Sequence, residues 1–152
     1  KILASDIDPK MIAEASEMTY SEDKFSSLTF KQYDQMMTEF FEKNEEGLYQ
    51  LKYKKFFQER IHFIVQDVTQ PLPGDLPPEF APPYDCISVK NVFMYLDRES
   101  VAKACGIIQN SLNTGGVAVI WDKEYRAFRL SELGFIDLMP ISQTISFKPP
   151  EK

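Results

Sequence analysis

The chain has 152 residues, 43% hydrophobic and 26% charged, a composition that suits one soluble domain with a real core and excludes a disordered or fibrous protein. Its formal net charge of −6 argues against nonspecific nucleic-acid binding. No apolar run reaches the length of a transmembrane helix and no secretory signal opens the chain, so a cytoplasmic protein without membrane insertion is expected.

In chain order, "KILASDI" (Lys1–Ile7) reads as a short apolar strand, the kind buried on both faces of a parallel sheet. A chain that opens on Lys at the first residue of such a strand is expected to be part of a longer protein. "DPKMIAEASEM" predicts a helix, with Asp8 at the N-cap, Pro9 at the first helical position, and Met11, Ile12 and Ala15 at helical spacing. A second helix is expected over "SSLTFKQYDQMMTEFFEKNEEG". Its apolar stripe is Tyr33, Met36, Met37, Phe40 and Phe41, and Gly47 stops it; the stripe reads as core packing.

The period then changes. "LYQLKY" and "RIHFIVQD" read as strands flanking "KKFFQE", a possible β insertion over residues 47–66 that leads into a sheet strand. "KYKKF" (Lys52–Phe56) is the only basic concentration and reads as a solvated face. "TQPLPGDLPPEFAPPYD" holds six of the ten prolines and predicts an ordered surface loop. "YDCISVKN" (Tyr84–Asn91) is a further buried strand. "DRESVAKACGIIQNSL" follows as a helix capped by Asp97, "NTGG" turns the chain, and "VAVIWD" (Val117–Asp122) is a fourth buried strand. The last residues predict one or two antiparallel strands completing an edge. Cys86 and Cys105 lie in apolar settings and read as buried thiols of a reducing compartment.

Strands alternating with helices predict an α/β fold with a mostly parallel sheet, and ligands of such sheets lie outside the carboxyl ends of the strands. The polar residues just past the apolar runs are Asp6 and Asp8, Asp67, Lys90 and Asn91, and Asp122 to Glu124. Asp6 either satisfies turn amides or accepts from the vicinal hydroxyls of a ribose. Asp8 fits the helix cap better. Asp67 is either an ordinary turn aspartate or an acceptor for the amine of an adenine, with Val68 against the ring. Lys90 and Asn91 leave their strand at a sharp exit. Tyr95 lies four residues after Asn91, one turn on if the segment is helical, so the two would share a cleft. His62, the only histidine, reads as a core or surface residue. No metal spacing, nucleophile elbow or phosphate loop is present in the sequence.

"ASDIDPKMIAEA", "GLYQL", "IHFIVQDV", "YDCISVKNVFMYLDRESV" and "SLNTGGVAVI" stand in the order found in the CheR chemotaxis receptor methyltransferases, which the chain resembles over nearly its whole length. The resemblance implies a class I S-adenosylmethionine-dependent methyltransferase domain with a Rossmann-like sheet. It implies methylation of glutamate carboxylates on a chemoreceptor cytoplasmic domain. Carried over, Asp6 takes the ribose, Asp67 and Val68 the adenine, Lys90 and Asn91 the methionine end and the acceptor, and Tyr95 stands near the transferred methyl. Lys90 and Tyr95 are thus the expected catalytic residues, and no metal is implied. Lys90 stands where the family has arginine, and its ammonium lacks the planar fork. The proline-rich loop is longer than the family leads one to expect. The family's glycine-rich cofactor loop and helical N-terminal domain are expected to precede Lys1. The short "EKNEEG" connection argues against docking of a receptor tail on the hairpin that follows. The alternatives are a degenerate, non-catalytic module that binds a nucleoside or a protein, and a small-molecule methyltransferase of the same fold.

Overall fold

The computed structural model describes residues 1–25, 30–120, 122–137 and 144–147. The chain divides into two compact units, Lys1–Gln66 and Asp67–Lys152. No helix among the described residues is long and apolar enough to cross a membrane.

The first unit begins with a parallel pair. Strand β1 (Ile2–Asp6) lies beside β5 (Ile61–Val65), with Ile2 opposite Ile61 and Asp6 opposite Val65. Helix α1 (Pro9–Glu17) packs on this pair. Its start is as the sequence dictates: the Asp8 carboxylate accepts from the Lys10 amide and Pro9 opens the helix. Burial on both faces does not hold for β1. Ile2 is 56% exposed and Val65 of its partner 51%, so this pair is apolar in sequence yet open to solvent.

A three-stranded antiparallel sheet, ordered β2–β4–β3, completes this unit. It is built from β2 (Thr19–Tyr20), β3 (Phe41–Lys43) and β4 (Tyr49–Leu51). Helix α2 (Phe30–Phe40) ends seven residues before Gly47, and Phe41 turns into strand β3. The reason is tertiary. The Lys52 amide donates to the Phe40 carbonyl at 2.9 Å, Phe41 pairs with Leu51, and the Phe41 ring meets Phe25 edge-on at 5.2 Å. Cross-strand pairing and aromatic packing therefore override the helical stripe. Phe25 is the hub of this small core, with Tyr20, Tyr33 and Tyr49 also edge-on around it. Gly47, at φ +78°, belongs to the β3–β4 turn, where Asn44 Oδ1 accepts from the Glu46 and Leu48 amides. Helix α3 (Lys54–Gln58) leads into β5.

The second unit opens with the proline-rich loop. It is ordered: Phe80 is buried in a short 3-10 turn, and the Tyr84 hydroxyl donates to the Phe80 carbonyl at 2.9 Å. Strands β6 (Tyr84–Val89), β7 (Leu112–Ile120), β8 (Ile136–Asp137) and β9 (Thr144–Phe147) form one sheet ordered β6–β7–β9–β8. The first pair is parallel, and β9 runs antiparallel to β7 and β8, as the expected antiparallel edge requires. Helix α4 (Arg98–Ser111) crosses between β6 and β7, its first turn capped by Asp97 accepting from the Ser100 amide. Val101, Ala104, Cys105 and Ile108 of α4 pack with Val89, Phe93, Ala118 and Ile120 into the core of this unit. Burial pushes the Cys105 thiol up to about 12, so it is an inert core group. Cys86 is exposed, contrary to the expectation from its apolar flanks, because alternation puts it on the face of β6 opposite to Val89.

The "NTGG" segment is part of β7 instead of a turn ahead of it, with a bulge between the pairings of Tyr84 and Cys86. Gly116 sits at that irregularity. A Cβ there meets backbone atoms, Asn113 O at 2.9 Å and Tyr84 O at 3.0 Å, which have no flexible end to move aside. Gly116→Ala should therefore destabilise the protein by roughly 1–3 kcal/mol through overpacking. Its urea midpoint should fall, and an unchanged midpoint would show that the β6–β7 backbone has room.

Candidate functional site

In the first unit, Asp6 is the last residue of β1 and is exposed. Its Oδ1 accepts from the Asp8 amide at 2.9 Å, and among the described residues no donor reaches Oδ2. The turn contact thus uses one oxygen of the carboxylate and leaves the other open among the described residues. Asp8 is the cap of α1.

The other predicted residues belong to the second unit. Asp67 lies two residues past the end of β5 instead of ending it, because its carboxylate and carbonyl close a turn with the Thr69 and Gln70 amides. Its Oδ1 accepts from both the Thr69 amide and the Thr69 hydroxyl, each at 2.8 Å. The backbone bond is the larger cause, and the hydroxyl adds to it, of a carboxyl pKa held below the usual aspartate value. Val68 packs against the buried cluster that contains Val89 and Phe93.

Lys90, Asn91 and Tyr95 all lie on the segment from the end of β6 to α4. This exit carries the unusual backbone of the unit. Asn91 stands at φ +56°, a left-handed conformation that asparagine tolerates far better than branched residues. A single 3-10 turn, Phe93–Tyr95, follows, and Phe93 is fully buried beneath it. The expectation that Asn91 and Tyr95 stack one α-helical turn apart is overturned, since Asn91 precedes a turn of tighter pitch. Both side chains are nonetheless exposed, Tyr95 at 78%, and so is Lys90. Among the described residues the Lys90 ammonium and the Tyr95 hydroxyl have no hydrogen-bond or ion-pair partner.

One residue ties this exit down. Glu124, in helix α5 (Asp122–Ala127), is 2% exposed. Its Oε2 accepts from the Asn91 amide at 3.1 Å and its Oε1 from the Met94 amide at 3.3 Å. Both oxygens of a buried carboxylate are thus spent on the backbone of one loop. Hydrogen bonds to charged groups contribute about 1.5–3 kcal/mol each, more than neutral ones. The sequence placed Glu124 among the strand-end residues but gave it no role. What it lacked was the pairing of β6 with β7, which brings the two exits together.

The Asp67 geometry has a measurable consequence. A carboxyl with a lowered folded-state pKa contributes stability that is fully present above its unfolded pKa and is lost as pH falls through the folded value. An NMR titration should therefore show Asp67 titrating below the ordinary value of about 3.9. Thr69→Val should move it only partway back, because the Thr69 amide remains. Titration of Asp67 at the ordinary value would show that the Thr69 contacts do not persist in solution.

Comparisons with known proteins bear on the whole chain. A search of curated protein sequences finds no match. Among solved structures, the N-methyltransferase NodS from Bradyrhizobium japonicum WM9 aligns over 99% of this chain and 74% of its own, with a TM-score of 0.54 and 13% identity. A possible exported protein from Bordetella parapertussis aligns over 99% of this chain and 54% of its own, with a TM-score of 0.55 and 14% identity. At such identities the likeness shows the fold alone, the α/β fold of class I S-adenosylmethionine-dependent methyltransferases. Residues 1–128 match the family described as "CheR methyltransferase, SAM binding domain", whose cofactor is S-adenosylmethionine. With that match spanning most of its length, the chain belongs to the CheR methyltransferase family, as its SAM-binding domain.

Proposed function

We propose that this domain serves the transfer of a methyl group from S-adenosylmethionine to the glutamate carboxylates of a protein, a chemoreceptor cytoplasmic domain being the substrate the family points to. The observation that carries the reading is the β6 exit. It presents an exposed cation and an exposed phenol, Lys90 and Tyr95, on a backbone whose Asn91 and Met94 amides bond to Glu124, with no general base among them.

The carboxylate acceptors suit the cofactor. Asp6 offers Oδ2 to a ribose hydroxyl while Oδ1 keeps the turn. Asp67 is ionised well below neutral pH and offers acceptor oxygen to an adenine amine, and Val68 supplies an apolar wall. Asn91 and Lys90 take the methionine end and the acceptor. When bound, S-adenosylmethionine supplies a methyl group activated by its sulfonium. The residues of the chain have four tasks: to hold, to align, to exclude water and to attract. A glutamate acceptor is ionised near neutral pH, so no proton need be taken from it, and alignment and desolvation are what remains. The Lys90 ammonium attracts the carboxylate as a point charge. It cannot grip both oxygens as a guanidinium does, which predicts weaker orientation of the acceptor.

That departure from arginine is also what favours the second reading, a binding module without transfer. The full-length protein, given methyl-labelled S-adenosylmethionine and receptor-bearing membranes, separates the two. Methyl esters of carboxylates release labelled methanol in mild alkali, whereas N-methyl groups do not. Alkali-volatile label on protein supports the proposal. Alkali-stable label contradicts the carboxylate acceptor, and cofactor binding with no transfer supports the module. In the same protein Asp6→Ala should weaken S-adenosylhomocysteine binding by about 1–3 kcal/mol, the cost of orphaned hydrogen-bonding groups. Unchanged affinity by calorimetry would remove Asp6 from the site.

A further inference from the structure

We propose that Glu124 is the positioning residue of the β6 exit: its buried carboxylate fixes the left-handed turn at Asn91 and the following 3-10 turn, and so sets how Lys90, Asn91 and Tyr95 meet their ligands. The inference rests on the reading of that exit as part of the methyl-transfer site. It goes further by assigning the geometry to a residue that touches no ligand.

Asn91 and Tyr95 are open to solvent and bring little packing of their own to hold the segment in place. The exit is instead anchored at two levels. Phe93 is fully buried in the core, which fixes where the segment lies. Glu124 fixes its dihedral angles, because the amides of Asn91 and Met94 must both point at one carboxylate for its two oxygens to be used. With Asn91 at φ +56°, loss of that anchor favours a return to the ordinary right-handed region, which swings the Asn91 side chain and the Lys90 carbonyl away from their present directions. The carboxylate is itself 2% exposed, so it binds no solvent-borne ligand in this conformation and its role is internal.

The choice of residue type follows from the chemistry. Each of the two N–H donors meets its own oxygen of the Glu124 side chain. Glutamine has one such oxygen, and its NH2 group would face an amide hydrogen. Glu124→Gln therefore keeps the volume and loses half of the anchor, and Glu124→Ala loses all of it.

The test uses the full-length protein. In the wild type, hydrogen exchange should show the Asn91 and Met94 amides protected although they lie outside regular secondary structure. In Glu124→Gln, and further in Glu124→Ala, these two should exchange faster while the amides of β7 stay as protected as before. S-Adenosylhomocysteine affinity should fall on the order of tenfold to a hundredfold in the same order, as small misplacement of positioning groups does. Ile108→Val, a mild core deletion in α4, should lower stability and leave affinity within about twofold, since it removes one methylene and no positioning contact. Unprotected Asn91 and Met94 amides in the wild type would overturn the inference, even if neither Glu124 variant folds. So would folded Glu124 variants that bind like wild type, or an equal loss of affinity in Ile108→Val. Failure of the wild type to bind S-adenosylhomocysteine would instead refute the assignment of the site, and with it the role claimed for Glu124 there, while amide exchange would still report whether the anchor exists.

Discussion

Parallel pairing of β6 with β7 is the constraint on which the second unit depends. Val89 lies opposite Ile120, so the two strands end level and in the same direction. The chain leaving β6 and the chain leaving β7 therefore emerge side by side. That arrangement lets a carboxylate from the second exit bond two amides of the first. An antiparallel pair would send the exits to opposite ends and leave the β6 exit without this support. The crossover helix α4 fills the space between, and Val101, Ala104, Cys105 and Ile108 bury the inner face of both strands. Each large apolar side chain buried in this way contributes about 1.5–3 kcal/mol. The packed platform comes from these contacts, and the residues proposed to bind the cofactor and acceptor stand on its rim.

The division of labour within the β6 exit is of a kind that recurs where binding residues sit on loops. Phe93 anchors by burial, Glu124 by charged hydrogen bonds, and Asn91 by tolerating a backbone that most residues resist. The side chains left over, Lys90 and Tyr95, face solvent without partners among the described residues. The exit's polar side chains are thus left to solvent while the Asn91 and Met94 amides are spent on Glu124. Asp6 follows the same pattern on a smaller scale, its Oδ1 settling the local turn through the Asp8 amide.

Much of this was legible in the sequence because it is local. The Asp8 and Asp97 caps, Pro9 at the start of α1, the strands around Ala4, Phe63 and Ile87, and the antiparallel edge at the end all follow from patterns a few residues long. The failures share a cause as well. Phe41 left its helix because Leu51 and Phe25, distant in sequence, offered pairing and packing. Cys86 looked buried because β6 was read as apolar on both faces, whereas its burial alternates. Asp67 fell outside its strand because it closes a turn with Thr69 and Gln70. Glu124 was visible as a strand-end acid, but its function depends on which strand neighbours which. Periodicity does not encode that.

The proposed function rests on Asp6, Asp67 and the β6 exit each taking part in binding S-adenosylmethionine. The most direct measurement is a titration of the isotopically labelled full-length protein with S-adenosylhomocysteine, followed by backbone amide NMR. The account predicts saturable shifts, with a common affinity, at the amides of residues 6–8, 67–69 and 90–95. Shifts confined to one of those segments, or gathered instead on the hairpin of residues 41–51, would contradict it.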